Sequence, residues 1–87
     1  LGSLTFNGVR FAAYVDDHRP PHLHGFYAGV EVIVEIGSNY VDLANRRRNI
    51  IPRNAKRSDV AHILNAAADH REALLKLWRT ENASSRR

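Results

Sequence analysis

Val30-Glu31-Val32-Ile33-Val34-Glu35-Ile36 decides the fold. Val30, Val32, Val34 and Ile36 alternate with Glu31, Ile33 and Glu35, which is the period-2 pattern of a strand with one apolar and one mostly acidic face. Towards the N-terminus, Ala28-Gly29 suits a tight turn, and His22–Tyr27 reads as the strand that enters it. Before that strand, Asp16-Asp17 and Pro20-Pro21 break the pattern, because two prolines remove two amide donors and hold the chain extended. Further back, Val9, Phe11, Ala13 and Val15 alternate, as do Leu4 and Phe6 around Thr5. Asn7-Gly8 between them is the strongest two-residue hairpin signal, since both turn residues need positive φ.

Towards the C-terminus, Gly37-Ser38-Asn39 turns the chain into a short strand over residues 40–43. Residues 45–56 read as a basic connector containing Pro52. Beyond it the period becomes helical, with Val60, Ile63, Leu64, Ala67, Leu74, Leu75 and Trp78 at i, i+3, i+4 and i+7 spacing. Ser58 is a candidate N-cap, a start nearer Arg53 being the alternative, and Arg71 falls on the apolar stripe, where it can snorkel. His62 lies off the stripe and is expected in solvent; His70 lies near its border. The expected fold class is α+β: a three- to four-stranded antiparallel meander packed against one long C-terminal helix. It forms a single domain over residues 4–81, followed by a flexible polar tail over 82–87. An open sheet edge invites a partner strand or a homodimer.

Eighty-seven residues allow one core. The chain is 44% hydrophobic and 25% charged, ordinary globular composition. No apolar run approaches the roughly 18–20 residues of a membrane span, and no secretory pattern appears. Cysteine is absent, which excludes disulfides, thiolate nucleophiles and Cys-based zinc sites and fits a cytoplasmic protein. The net charge of +4 is unevenly spread. Residues 1–42 carry −3 and residues 43–87 carry +7. Arg46, Arg47, Arg48, Arg53, Lys56 and Arg57 follow one another without an acid between them. Such a stretch can pair with nucleic-acid phosphates, meet an acidic protein patch, or simply be a solvated loop.

The chemistry lies in Asp16-Asp17-His18-Arg19-Pro20-Pro21-His22-Leu23-His24. His22 and His24 are two apart on an extended chain and share a face. His18 can fold back towards them, and Asp17 can hold an imidazole in one tautomer. Three readings stand side by side. His18, His22 and His24 suit zinc or a similar divalent metal. Asp17, His18, His22 and His24 suit metal-free acid–base chemistry on RNA, with Arg19 or the Arg46–Arg48 run stabilising the charge that develops on phosphorus. The histidines and prolines can also simply build a rigid turn that shapes a protein-contact surface, with no cofactor required.

The string Asp17-His18-x-Pro20-Pro21-His22-x-His24, followed by the Val30–Ile36 strand and closed by His70-Arg71-Glu72-Ala73-Leu74-Leu75-Lys76-Leu77-Trp78, resembles the small bacterial proteins of domain-of-unknown-function family 4160. The resemblance brackets about residues 4–80. It implies a bacterial cytoplasmic protein, often encoded beside a protein of domain-of-unknown-function family 2442 in a pair that looks like a toxin–antitoxin module. It therefore implies a cognate small antitoxin-like protein as partner, and no membrane. No catalytic residue of the family carries over; Asp17, His18, Pro20, Pro21, His22, His24, His70 and Trp78 transfer as candidates only. The expected activity, if any, is ribonuclease-like, with Arg19, Arg46, Arg47, Arg48, Arg53, Lys56 and Arg57 as the nucleic-acid or partner surface. The basic connector is longer and more basic here than is usual for the family, so a role argued from it does not extend to relatives.

Overall fold

The computed structural model describes residues 2–15 and 20–83. Asp16, Asp17, His18 and Arg19 lie outside them, as do Leu1 and residues 84–87. The described elements are β1 (Gly2–Phe6), β2 (Val9–Ala13), β3 (His22–Tyr27), β4 (Val30–Ile36), β5 (Val41–Leu43), β6 (Ile50–Ile51), α1 (Arg57–Asp69) and α2 (Arg71–Ala83).

The sheet is an antiparallel meander in the order β1-β2-β3-β4-β5, and β6 also pairs with β4. Two-residue hairpin turns fall at Asn7-Gly8 and Ala28-Gly29, as expected. Asn7 and Gly8 take φ of 54° and 78°, and Ala28 and Gly29 take 53° and 77°. Both are left-handed pairs whose twist matches the flanking strands. Ala28 has a Cβ in that region, which costs an L-residue roughly 1–2 kcal/mol. Ala28→Asn, matching the other turn, is expected to stabilise the domain by about 1 kcal/mol, read as a higher denaturant midpoint. An unchanged or lower midpoint would refute it.

The alternation read in β4 sets one face of the sheet. Phe11, Gly25, Val32 and Ile50 stand in one row, and Leu23, Val34 and Leu43 in the next. These apolar rows meet Ile63, Ala66 and Ala67 of α1 and Leu74 and Leu75 of α2 in one buried core. α1 lies over β3, β4 and β5, while α2 reaches β1 and β2 as well as β3 and β4. No described helix is long and apolar enough to cross a membrane.

The structure corrects the expectation of three or four strands and one helix. Ile50–Ile51, placed in a basic connector by its surroundings, pairs with Val32 and Glu31. Ala44 N–H donates to Ile33 O, and Ile33 N–H donates to Asn49 O. Residues 41–51 are thus one edge strand interrupted by a bulge at 45–48, with Arg48 at φ 57°. The apolar stripe does continue through residue 70, yet the helix breaks there, with His70 at φ −125° and ψ 30°. A straight helix over residues 57–83 would run about 40 Å at 1.5 Å per residue, whereas a strand of five to seven residues covers about 16–24 Å. The break lets both halves stay on the sheet.

Smaller corrections follow from packing. α1 starts at Arg57 with Lys56 as N-cap and no side-chain cap bond, so Ser58 does not cap it. The His62 ring stacks on Tyr27 at 4.2 Å, and its Nε2 bonds Asn7 O at 2.8 Å, so this half-exposed histidine is tied to the β1–β2 turn. His70 stacks on Phe6 at 3.9 Å. Asn82, expected in the polar tail, is buried on α2 and donates to Tyr14 O and Trp78 O.

Candidate functional site

The face of the sheet turned away from the helices carries the site. β3 alternates, so Leu23 and Gly25 face the helices while His22, His24 and Phe26 face outward. Across the strands, His24 stands between Ala12 and Ile33, His22 beside Glu35, and Phe26 between Arg10 and Glu31. The guanidinium of Arg10 lies 4.5 Å over the Phe26 ring. The Tyr14 ring meets His24 edge-on at 5.0 Å.

The two central histidines differ in their partners. His24 Nδ1 lies 2.8 Å from Glu31 Oε2. A carboxylate only accepts, so Nδ1 carries the proton, and in the neutral ring Nε2 holds the lone pair. His24 and Glu31 remain 18% and 28% exposed, so both are reachable from solvent. His22 is buried, its Nδ1 donates to Pro20 O at 3.0 Å, and Arg46 Nη1 approaches its Nε2 at 3.3 Å. The carbonyl fixes Nδ1 as the protonated nitrogen, and the guanidinium then donates to Nε2. His22 and His24 ring centroids are 5.9 Å apart. The site thus combines a base held by a carboxylate with an arginine brought near by its neighbour.

This arrangement gives His22 a role in holding the strand entrance. Pro21 O accepts from Ile36 N–H, extending the β3–β4 ladder through a residue that lacks its own amide proton. Removing a buried imidazole leaves the Pro20 carbonyl without that donor. His22→Ala is therefore expected to cost about 1–3 kcal/mol, seen as a lower melting temperature. A melt matching wild type would sink this reading of His22.

At the far side of the same face, Tyr40 donates to Glu35 Oε2 at 2.6 Å. That bond, followed by burial and the nearby charges of Glu35 and Asp42, raises the Tyr40 pKa above its ordinary 10.0. A raised folded pKa means that the stabilisation is present below the unfolded value and lost as pH rises through the folded one. Tyr40→Phe should remove a phenolate absorbance component that rises later than that of a free tyrosine. If only an earlier component disappears, the bond to Glu35 does not control Tyr40.

Of the sequence candidates, His22, His24 and Arg46 converge. Asp17, His18 and Arg19 fall outside the described residues. Arg47, Arg48 and Arg53 do not join the histidines; they surround Ile50 and Ile51 at the sheet edge. Arg57 opens α1 and lines a depression with Arg53, and Lys56 precedes that helix. Among the described residues, no group of three His, Cys, Asp or Glu is placed to hold a metal ion. The Arg46 guanidinium beside His22 Nε2 also opposes a cation at that nitrogen. Glu31, which sequence reading does not single out, joins this cluster through His24. The two-residue turn at Ala28-Gly29 sets Phe26 opposite Glu31, which makes Glu31 the diagonal same-face neighbour of His24.

A family model described as a domain of unknown function, DUF4160, matches residues 8–79. The chain belongs to the DUF4160 family. The match spans the outward face of β3, the arginine bulge and most of both helices. No curated protein and no solved structure matches the chain. In this DUF4160 protein Trp78 is buried, and Asn82, four residues on, ties the end of α2 to Tyr14 at the start of the histidine segment.

Proposed function

We propose that this DUF4160 protein is the toxin-like member of a two-gene bacterial module and cleaves RNA on the outward sheet face. The observation that carries the reading is the His24–Glu31 pair, 2.8 Å apart and open to solvent, beside the His22–Arg46 contact. His24 Nε2 takes the proton of a ribose 2′-hydroxyl while Glu31 steadies the imidazolium. The 2′-oxygen attacks phosphorus, the 5′-oxygen leaves and takes a proton from water, and a 2′,3′-cyclic phosphate remains. Arg46 neutralises the charge that develops on the phosphoryl oxygens. A cognate small protein would restrain the activity in the cell.

The test is cleavage of an end-labelled RNA oligonucleotide, alongside growth of a host in which the protein is induced alone. Wild type is expected to yield 2′,3′-cyclic ends and arrest growth. His24→Ala should lower cleavage by about 10²–10³, because a positioned general base contributes on that order. Glu31→Gln should lower it less, as it removes only the orienting charge, and both variants should melt like wild type. Intact RNA and normal growth with ample folded wild-type protein would overturn the proposal. Zinc that co-purifies stoichiometrically and raises the melting temperature would favour a metal site involving His18 instead.

A further inference from the structure

β6 pairs with β4 and forms the outer edge of the sheet at that level. Its two residues point to opposite faces, Ile50 towards α1 and Ile51 outward, and Ile51 is 43% exposed. Two depressions adjoin around this edge. One, of about 530 Å³, is lined by Arg47, Arg48, Ile50, Ile51 and Arg53. The other, of about 380 Å³, shares Ile50 and Arg53 and continues over Val60 and Leu64, with Arg57 on its rim.

The lining defines the ligand chemistry. It combines aliphatic side chains with arginines and contains neither an acid nor an aromatic ring. Among the described residues, no carboxylate pairs with Arg47, Arg48, Arg53 or Arg57. Four guanidinium groups therefore border an apolar floor with their charge uncompensated. A nucleic acid would meet the charge, but it brings no aliphatic anchor, and the floor has no aromatic ring on which bases stack. A peptide with alternating acidic and apolar side chains meets both parts. Extended residues two apart face the same way, so its apolar side chains would share one face and its carboxylates the other.

We propose that the edge groove between β6 and α1 binds an extended acidic peptide segment of a partner protein. An apolar side chain sits on Ile50, Val60 and Leu64, and carboxylates meet Arg47, Arg48 and Arg53. This site is separate from the histidine face and does not depend on RNA cleavage there.

Fluorescence anisotropy with a fluorescein-labelled peptide alternating glutamate and leucine tests it. Two control peptides replace the leucines with serine or the glutamates with glutamine, and a labelled oligouridylate stands for nucleic acid. Wild type should bind the parent peptide saturably and each control at least about tenfold more weakly. Arg53→Glu, at an exposed position, should lower parent affinity at least about tenfold without changing the circular dichroism. His24→Ala should leave peptide binding intact, so failure here and failure of the catalytic reading are told apart. No binding of the parent peptide, equal binding of the serine control, or insensitivity to Arg53→Glu would overturn the proposal. So would an oligouridylate that binds more tightly than the peptide and loses that binding in Arg53→Glu.

Discussion

Gly25→Val is expected to leave no folded domain. Gly25 lies in the middle of β3, in the row that runs from Phe11 to Val32, beneath Ile63 of α1. A Cβ placed there would stand 2.7 Å from Ile63 Cγ2 and 3.0 Å from Phe11 Cε1. Both neighbours are fully buried, so neither can swing into solvent to make room. A single extra methyl in such a place costs about 1–3 kcal/mol. Valine adds two more methyls and drives α1 off the sheet, a loss beyond about 4 kcal/mol. At roughly 0.05–0.15 kcal/mol per residue, that is comparable with the whole stability of a domain this size. Near-ultraviolet circular dichroism and a thermal melt would show it, as loss of the aromatic signal and of the cooperative transition. A cooperative melt within a few degrees of wild type would refute this account of the helix–sheet contact.

Phe11→Ala is the second large effect, with the opposite physical cause. Phe11 is fully buried in the centre of β2 and packs against the space left by Gly25. Truncating it opens a cavity that the locked neighbours cannot fill, at a cost of about 3–5 kcal/mol. For a domain of this size the melting temperature should fall by tens of degrees. The two positions share a wall, so their effects should not add. Gly25→Ala combined with Phe11→Ala should cost less than the two single changes together, because the new methyl occupies part of the cavity. Strict additivity in a double-mutant cycle would show that the ring and the glycine are not in contact. A loss below about 1 kcal/mol for Phe11→Ala would remove this residue from the centre of the core.

The histidine face was legible only in part. His22 and His24 share a face because the side-chain period of a strand is two. Their chemical difference was not legible, since burial and the Pro20 carbonyl engage His22 while Glu31 leaves His24 open. The basic run was legible as charge but not as geometry. It reads as one surface in sequence, yet the bulge sends Arg46 to His22 and leaves Arg47 and Arg48 at the β6 edge. The helix break at His70 was hidden for a different reason. Its apolar stripe continues through the break, so nothing local marks it, and only the limited length of the strands makes a straight helix too long.

The amino-acid sequence by itself determined the α+β class, the left-handed Asn7-Gly8 turn, the place of the Ala28-Gly29 turn, and the period-2 faces of β2, β3 and β4. Those depend on φ preferences and period-2 alternation, which act over a few residues. Tertiary structure decided that Ile50 and Ile51 complete the edge of the sheet, that His62 and His70 stack on sheet aromatics, and that Arg46 reaches His22 across 24 positions of chain. Contacts of that kind depend on where a loop returns after leaving the sheet. That path is set by the burial of Ala44 and Ile33 and by the Ile33–Asn49 hydrogen bond, not by any local preference of the arginines themselves.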